Sequence, residues 1–137
     1  VVDGGIRTIS DEQLERARAA MREVVARHLP RTSAEITFED GYPAMPPTDG
    51  NRRLLAAFDE VSRALGYGAV EPFDPGRRGA ADVSFVASYV DAAIDGLGPL
   101  GSGSHSVEET VELNSLPVAA KRAAVLIYRL TRPDPVM

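Results

Sequence analysis

Apolar residues recur along this chain in two rhythms, one helical and one alternating. Leu14, Ala17, Met21, Val24, Val25 and Leu29 keep helical spacing and predict an amphipathic helix. Ser10 is placed to cap it and Gln13, three residues on, completes a capping-box pattern. Asp11 and Glu12 suit the positive end of its dipole, and Pro30 stops it. Leu54, Phe58, Val61 and Leu65 predict a second helix that opens at Thr48 or Asp49 and closes at Gly66. Arg52, Arg53, Asp59, Glu60 and Arg63 fall on its other side and read as solvated. A last helix starts about Ser115, tolerates Pro117 in its first turn, and turns Ala119, Ala123, Leu126, Ile127 and Leu130 inward.

The alternating rhythm predicts strands. Val1–Arg7 reads as a short strand, and Ser33–Glu39 alternates small or apolar with polar residues, the mark of one buried face. Tyr67–Glu71 and Tyr89–Asp95 read as further short strands, with a helix between them that buries Phe85, Val86 and Tyr89. Residues 1–40 thus read strand, helix, strand, a set whose sheet edges want neighbours. Residues 41–50 form a joint, broken by Gly41, Pro43, Pro46, Pro47 and Gly50. Residues 51–137 alternate helix and strand, which implies a crossover and an α/β sheet with its working loop at a strand's carboxyl end. Arg132-Pro133-Asp134-Pro135 closes the chain as a tail.

Composition narrows the function classes. A net charge of −5 with acids and bases interspersed argues against nucleic acid, which demands a basic face. No run reaches the ~18 apolar residues of a membrane helix, and no signal-peptide pattern opens the chain, so the expected location is cytoplasmic. The absence of cysteine excludes disulfides and thiolate metal sites.

The candidate chemistry lies in Gly98-Pro99-Leu100-Gly101-Ser102-Gly103-Ser104-His105-Ser106-Val107-Glu108-Glu109, a glycine-rich loop holding one of two histidines. Glycine lets main chain approach a ligand closely, and a neutral imidazole can ligate a metal while a nearby carboxylate steadies it. The alternative is an ordinary histidine on a surface loop. The other histidine, His28, reads as a helix-end or surface residue. Upstream, Gly79-Ala80-Ala81-Asp82 would open a helix beside Arg77 and Arg78. A helix N-terminus with two guanidinium groups can hold a carboxylate; the alternative is a solvated arginine pair and an aspartate N-cap.

Taken together, Gly96, Gly98, His105, Ser106, Glu109, Val111 and Ser115 resemble the C-terminal signature of the zinc-dependent aminoacylase and carboxypeptidase family. That family includes glutamate carboxypeptidases, acetylornithine deacetylases and succinyl-diaminopimelate desuccinylases. The resemblance implies an α/β fold: the C-terminal part of a mixed-sheet catalytic domain (51–137), preceded by the last strand, helix and strand of a βαββαβ lid and dimerisation domain (1–40). It implies an amide hydrolase with two zinc ions, acting on a small peptide or N-acyl amino acid, and a homodimer. By resemblance, His105 is a metal ligand, Glu109 and Asp82 support the site from behind, and Arg77, Arg78, Gly101 and Gly103 contact substrate. Gly41-Tyr42-Pro43 stands where the glutamate carboxypeptidase branch often has Gly-Arg-Pro, and Tyr42 lacks the charge that would receive a substrate carboxylate. The family's H-x-D motif, its glutamate base and its remaining ligands have no counterpart in this sequence. The chain, which lacks an initiator methionine, is therefore expected to be the C-terminal part of a longer enzyme and inactive alone. A non-catalytic carboxylate-binding or dimerisation module is the competing expectation.

Overall fold

The computed structural model describes residues 1–77 and 79–132, and these form a mixed, helix-rich α/β chain. It holds three α-helices, α1 (Asp11–Ala26), α2 (Asp49–Ala64) and α3 (Ser115–Leu130), and a two-stranded sheet of β1 (Gly101–Ser102) and β2 (Thr110–Val111). Its contacts divide into two compact units, Val1–Pro47 with Asp74–Tyr89, and Thr48–Phe73 with Val90 onward.

The first unit is built on α1. Ser10 Oγ accepts the Gln13 N–H at 3.2 Å while Gln13 Oε1 accepts the Ile9 N–H at 2.9 Å, so the cap read from sequence forms. Ile36 and Phe38 are half-buried with exposed neighbours on either side, as alternation predicts. Phe38 lies beneath two guanidinium groups, those of Arg18 and Arg22, at 5.4 and 5.0 Å from its ring centre, and Arg18 also pairs with Asp40 and Glu15. The segment nevertheless makes no ladder, and neither does Val1–Arg7. Pattern alone does not make a strand: backbone donors need a partner, and none pairs with either segment among the described residues.

Where one helix was expected around residues 82–89, two short 3₁₀ turns occur, Asp82–Phe85 and Ala87–Tyr89. Ser84 Oγ returns to the Ala81 carbonyl at 2.7 Å, a local bond that competes with helix formation in so short a run. Phe85, Val86 and Tyr89 are correspondingly exposed, not buried.

The second unit packs α2 against α3 around Phe58, Val61 and Leu126, with Leu54, Leu65, Val70, Ile94 and Leu130 against them. Thr48 caps α2 through the Asn51 N–H at 3.1 Å. Its other end is a Schellman turn: Gly66 has φ 77°, its N–H reaches the Arg63 carbonyl at 2.9 Å, and the Tyr67 N–H reaches that of Ser62 at 2.9 Å. Residues 67–71 and 89–95 form no strands. Helix side chains hold them instead. Asp59 Oδ1 accepts the Val70 N–H at 2.7 Å, and Asn51 Oδ1 accepts the Ala93 N–H at 2.8 Å. Asp59 is thus an anchor on the side of α2 that was read as solvated. On α3, Leu126 faces the core, whereas Ile127, one position round the helix, is 60% exposed. The expected parallel crossover sheet is replaced, among the described residues, by one antiparallel pair.

Candidate functional site

The glycine-rich loop is a hairpin. β1 and β2 pair antiparallel with Gly101 opposite Val111 and Ser102 opposite Thr110, and the Ser102 and Thr110 hydroxyls meet at 2.9 Å. A Cβ on Gly101 would lie 2.3 Å from the Thr110 carbonyl oxygen, so only glycine allows this closeness. The hairpin's foot is tied to α3. Ser115 Oγ donates to the Glu112 carbonyl at 2.6 Å and accepts the Leu100 N–H at 2.8 Å, while the Glu112 N–H donates to the Leu100 carbonyl at 2.8 Å. Ser115 is buried, and this explains a serine at the start of α3 better than capping, since the cap residue Asn114 makes no side-chain cap bond.

His105 sits at the tip, exposed, with φ 64°. It holds the third position of a turn closed by the Ser106 N–H donating to the Gly103 carbonyl at 3.0 Å, a place where positive φ usually selects glycine or asparagine. Gly103 is also left-handed, with φ 67°, and a Cβ there would meet the Glu108 carbonyl oxygen at 2.9 Å. Ser106 Oγ donates to the Gly103 carbonyl at 2.7 Å and accepts the Glu108 N–H at 3.2 Å. Glu109 Oε2 accepts the His105 main-chain N–H at 3.3 Å. An open depression of about 440 Å³ runs across the hairpin between Leu100 and Glu112.

Gly101, Gly103, His105 and Glu109 therefore share one hairpin of the second unit. Arg77 and Asp82 belong to the first unit. Arg77 lies in an exposed turn whose main chain is fixed by Asp74: the Asp74 carbonyl accepts the Arg77 N–H at 3.0 Å, and Asp74 Oδ1 accepts the Gly76 N–H at 2.9 Å. Arg78 lies outside the described residues. Asp82 is not an N-cap; that place falls to Ala81, which makes no side-chain cap bond. Asp82 instead accepts the Tyr42 hydroxyl at 3.0 Å, and the Tyr42 ring packs on Phe85 with 5.0 Å between centroids. That hydrogen bond, with the repulsion of the same Asp82 carboxylate, raises the Tyr42 phenol above its ordinary pKa. His28 is exposed just beyond the end of α1, its Nδ1 3.2 Å from the Leu29 carbonyl. Sequence reading gave no role to Ser106 or to the Tyr42–Asp82 link. A serine in a loop can bond main chain two residues on, as Ser106 does with the Glu108 N–H, and that turn signal would have found the first; nothing local marks the second.

A catalytic zinc takes about three protein ligands. Among the described residues, no group of three or more His, Asp, Glu or Cys side chains could hold a metal ion. His105 offers one imidazole, and the residues present do not by themselves fit a zinc centre.

No curated protein and no solved structure matches this chain. Residues 3–129 of the 137 match the sequence profile of peptidase family M20/M25/M40, a match that spans α1, α2 and the whole hairpin with His105. The chain belongs to peptidase family M20/M25/M40.

Proposed function

We propose that this chain contributes one zinc ligand, His105, to the active centre of a dizinc amide hydrolase that cleaves next to a carboxylate, in a small peptide or an N-acyl amino acid. The observation that carries the reading is a histidine displayed on a built hairpin inside a family match of nearly the whole chain. In this reading the other ligands and the general base come from polypeptide outside residues 1–137: the sequence holds no H-x-D motif, and among the described residues no group of three or more His, Asp, Glu or Cys could hold a metal ion. Zinc, when bound, supplies hydroxide at neutral pH and polarises a carbonyl. Within this reading the Gly101 and Gly103 main chain contacts substrate; in the first unit, taken by itself, Arg77 and Arg78 are the proposed carboxylate-binding pair and Asp82 a supporting residue. Residues 1–40 would be the end of a lid domain and 51–137 the end of the catalytic domain.

The test is amide hydrolysis with zinc, on a panel of dipeptides and N-acyl amino acids. The chain alone is expected to be inactive, and covalent or mixed reconstitution with a family member's N-terminal half is expected to restore turnover. His105→Ala should then remove it. Restored turnover that survives His105→Ala would sink the assignment.

A second reading, a non-catalytic homodimerisation module, is favoured by one feature. α1 buries none of its residues, and an open groove of about 380 Å³ lined by Ala20, Met21, Val24, Val25 and Ile36 lies along it. A monomeric mass at high concentration would dismiss it.

A further inference from the structure

We propose that Glu109, seconded by Ser106, is a positioning residue that selects the left-handed main chain of His105 and so sets where the imidazole points. This deepens the reading of His105 as a ligand and rests on it for its functional meaning. Histidine at φ 64° is in a conformation that side-chain-bearing residues disfavour, and it lies two residues after a second left-handed position, Gly103. Something must favour this conformer over the alternatives. The loop is exposed, so water would satisfy the His105 N–H in any conformation. A side-chain acceptor is therefore not needed for satisfaction, and its effect is to choose among conformers.

Glu109 is placed to make that choice. It begins the return leg of the hairpin, next to Thr110 of β2, and its carboxylate reaches back four residues to the His105 N–H at 3.3 Å. Its own N–H is fixed by the Ser106 carbonyl at 3.2 Å. Ser106 closes the other side of the turn, with its N–H and its hydroxyl both donating to the Gly103 carbonyl at 3.0 and 2.7 Å. The carboxylate thus engages the main chain of His105, which leaves both ring nitrogens to be set by whatever the imidazole meets.

The experiment compares the isotopically labelled full chain with Glu109→Gln and Glu109→Ala by NMR at neutral pH. Glu109→Ala should speed exchange of the His105 amide by about tenfold, the effect of losing one hydrogen bond to a side-chain oxygen. It should also move the His105 one-bond Cα–Hα coupling away from its left-handed value. Glu109→Gln keeps an acceptor oxygen and should stay near wild type, while α3 amides stay unchanged in both variants. The proposal is overturned if Glu109→Ala leaves the His105 coupling and exchange as they were, or if Glu109→Gln disrupts them equally. Neither readout involves metal, so failure of His105 as a ligand would show separately, as reconstituted turnover that survives His105→Ala with these values intact.

Discussion

Two residues separate what a sequence displays from what only packing reveals. Gly103 was legible as part of a glycine-rich loop, but the reason for glycine there was not. It combines φ 67° with an approach to the Glu108 carbonyl that a Cβ would bring to 2.9 Å. Gly103→Ala should therefore weaken the hairpin by about 1–2 kcal/mol, seen as roughly five- to thirtyfold faster exchange of the Glu112 amide that bonds Leu100. Unchanged exchange would mean the loop bends freely to accept the methyl. Asp59 was read as one of several solvated charges, because its sequence neighbours are charged and its partner Val70 lies across the end of α2. The Val70 N–H and then Arg63 hold its carboxyl below the ordinary value. A depressed carboxylate pKa stabilises the fold above the unfolded value and loses that contribution as pH falls through the folded one. Asp59→Asn keeps an acceptor for Val70 without the charge. Its stability deficit in urea unfolding should thus be present at pH 7 and shrink below about pH 4. A deficit constant down to pH 3 would contradict the electrostatic part of this account.

At the scale of elements, the three long helices were legible because each carries its own information: a stripe at helical spacing in all three, and in α1 and α2 a capping residue and a stop as well. Strands do not carry theirs. The Ile36 and Phe38 alternation was right about burial and silent about pairing, since a ladder depends on a second segment elsewhere. The 82–89 stretch failed for a different reason, its Ser84 hydroxyl and short length favouring tight turns over a helix. Gly50 was read as a breaker in a joint, yet it lies inside α2, where a Cβ would fall 1.9 Å from the Asp91 carbonyl oxygen. Alanine would gain up to about 1 kcal/mol in helix propensity, less in a first turn. Displacing the main chain at Asp91 costs about 1–3 kcal/mol, so the clash wins. Gly50→Ala should lower the urea midpoint, and a raised midpoint would show that residues 91–93 yield without cost.

The whole molecule has a small core for its length. Phe58, Val61, Ala93 and Leu126 are its buried hydrophobic residues among those described, while Leu113, Leu116, Ile127 and Tyr128 are exposed around the hairpin and α3. A helix as apolar as α3 is ordinarily buried on more than one side. The candidate site shows the same pattern: His105 is well presented, but among the described residues no group of three or more His, Asp, Glu or Cys could hold a metal ion. The histidine loop was legible because its glycines, histidine and acids are contiguous. The full ligand set that the proposed zinc centre requires is not marked by any contiguous stretch of this sequence. Zinc calorimetry on this chain and on its His105→Ala variant bears most directly on this account. No tight zinc site in either protein is the predicted result, since one imidazole does not make a centre. Tight binding of one zinc that disappears with His105 would contradict it, and would mean that this chain, or two copies of it, completes the site unaided.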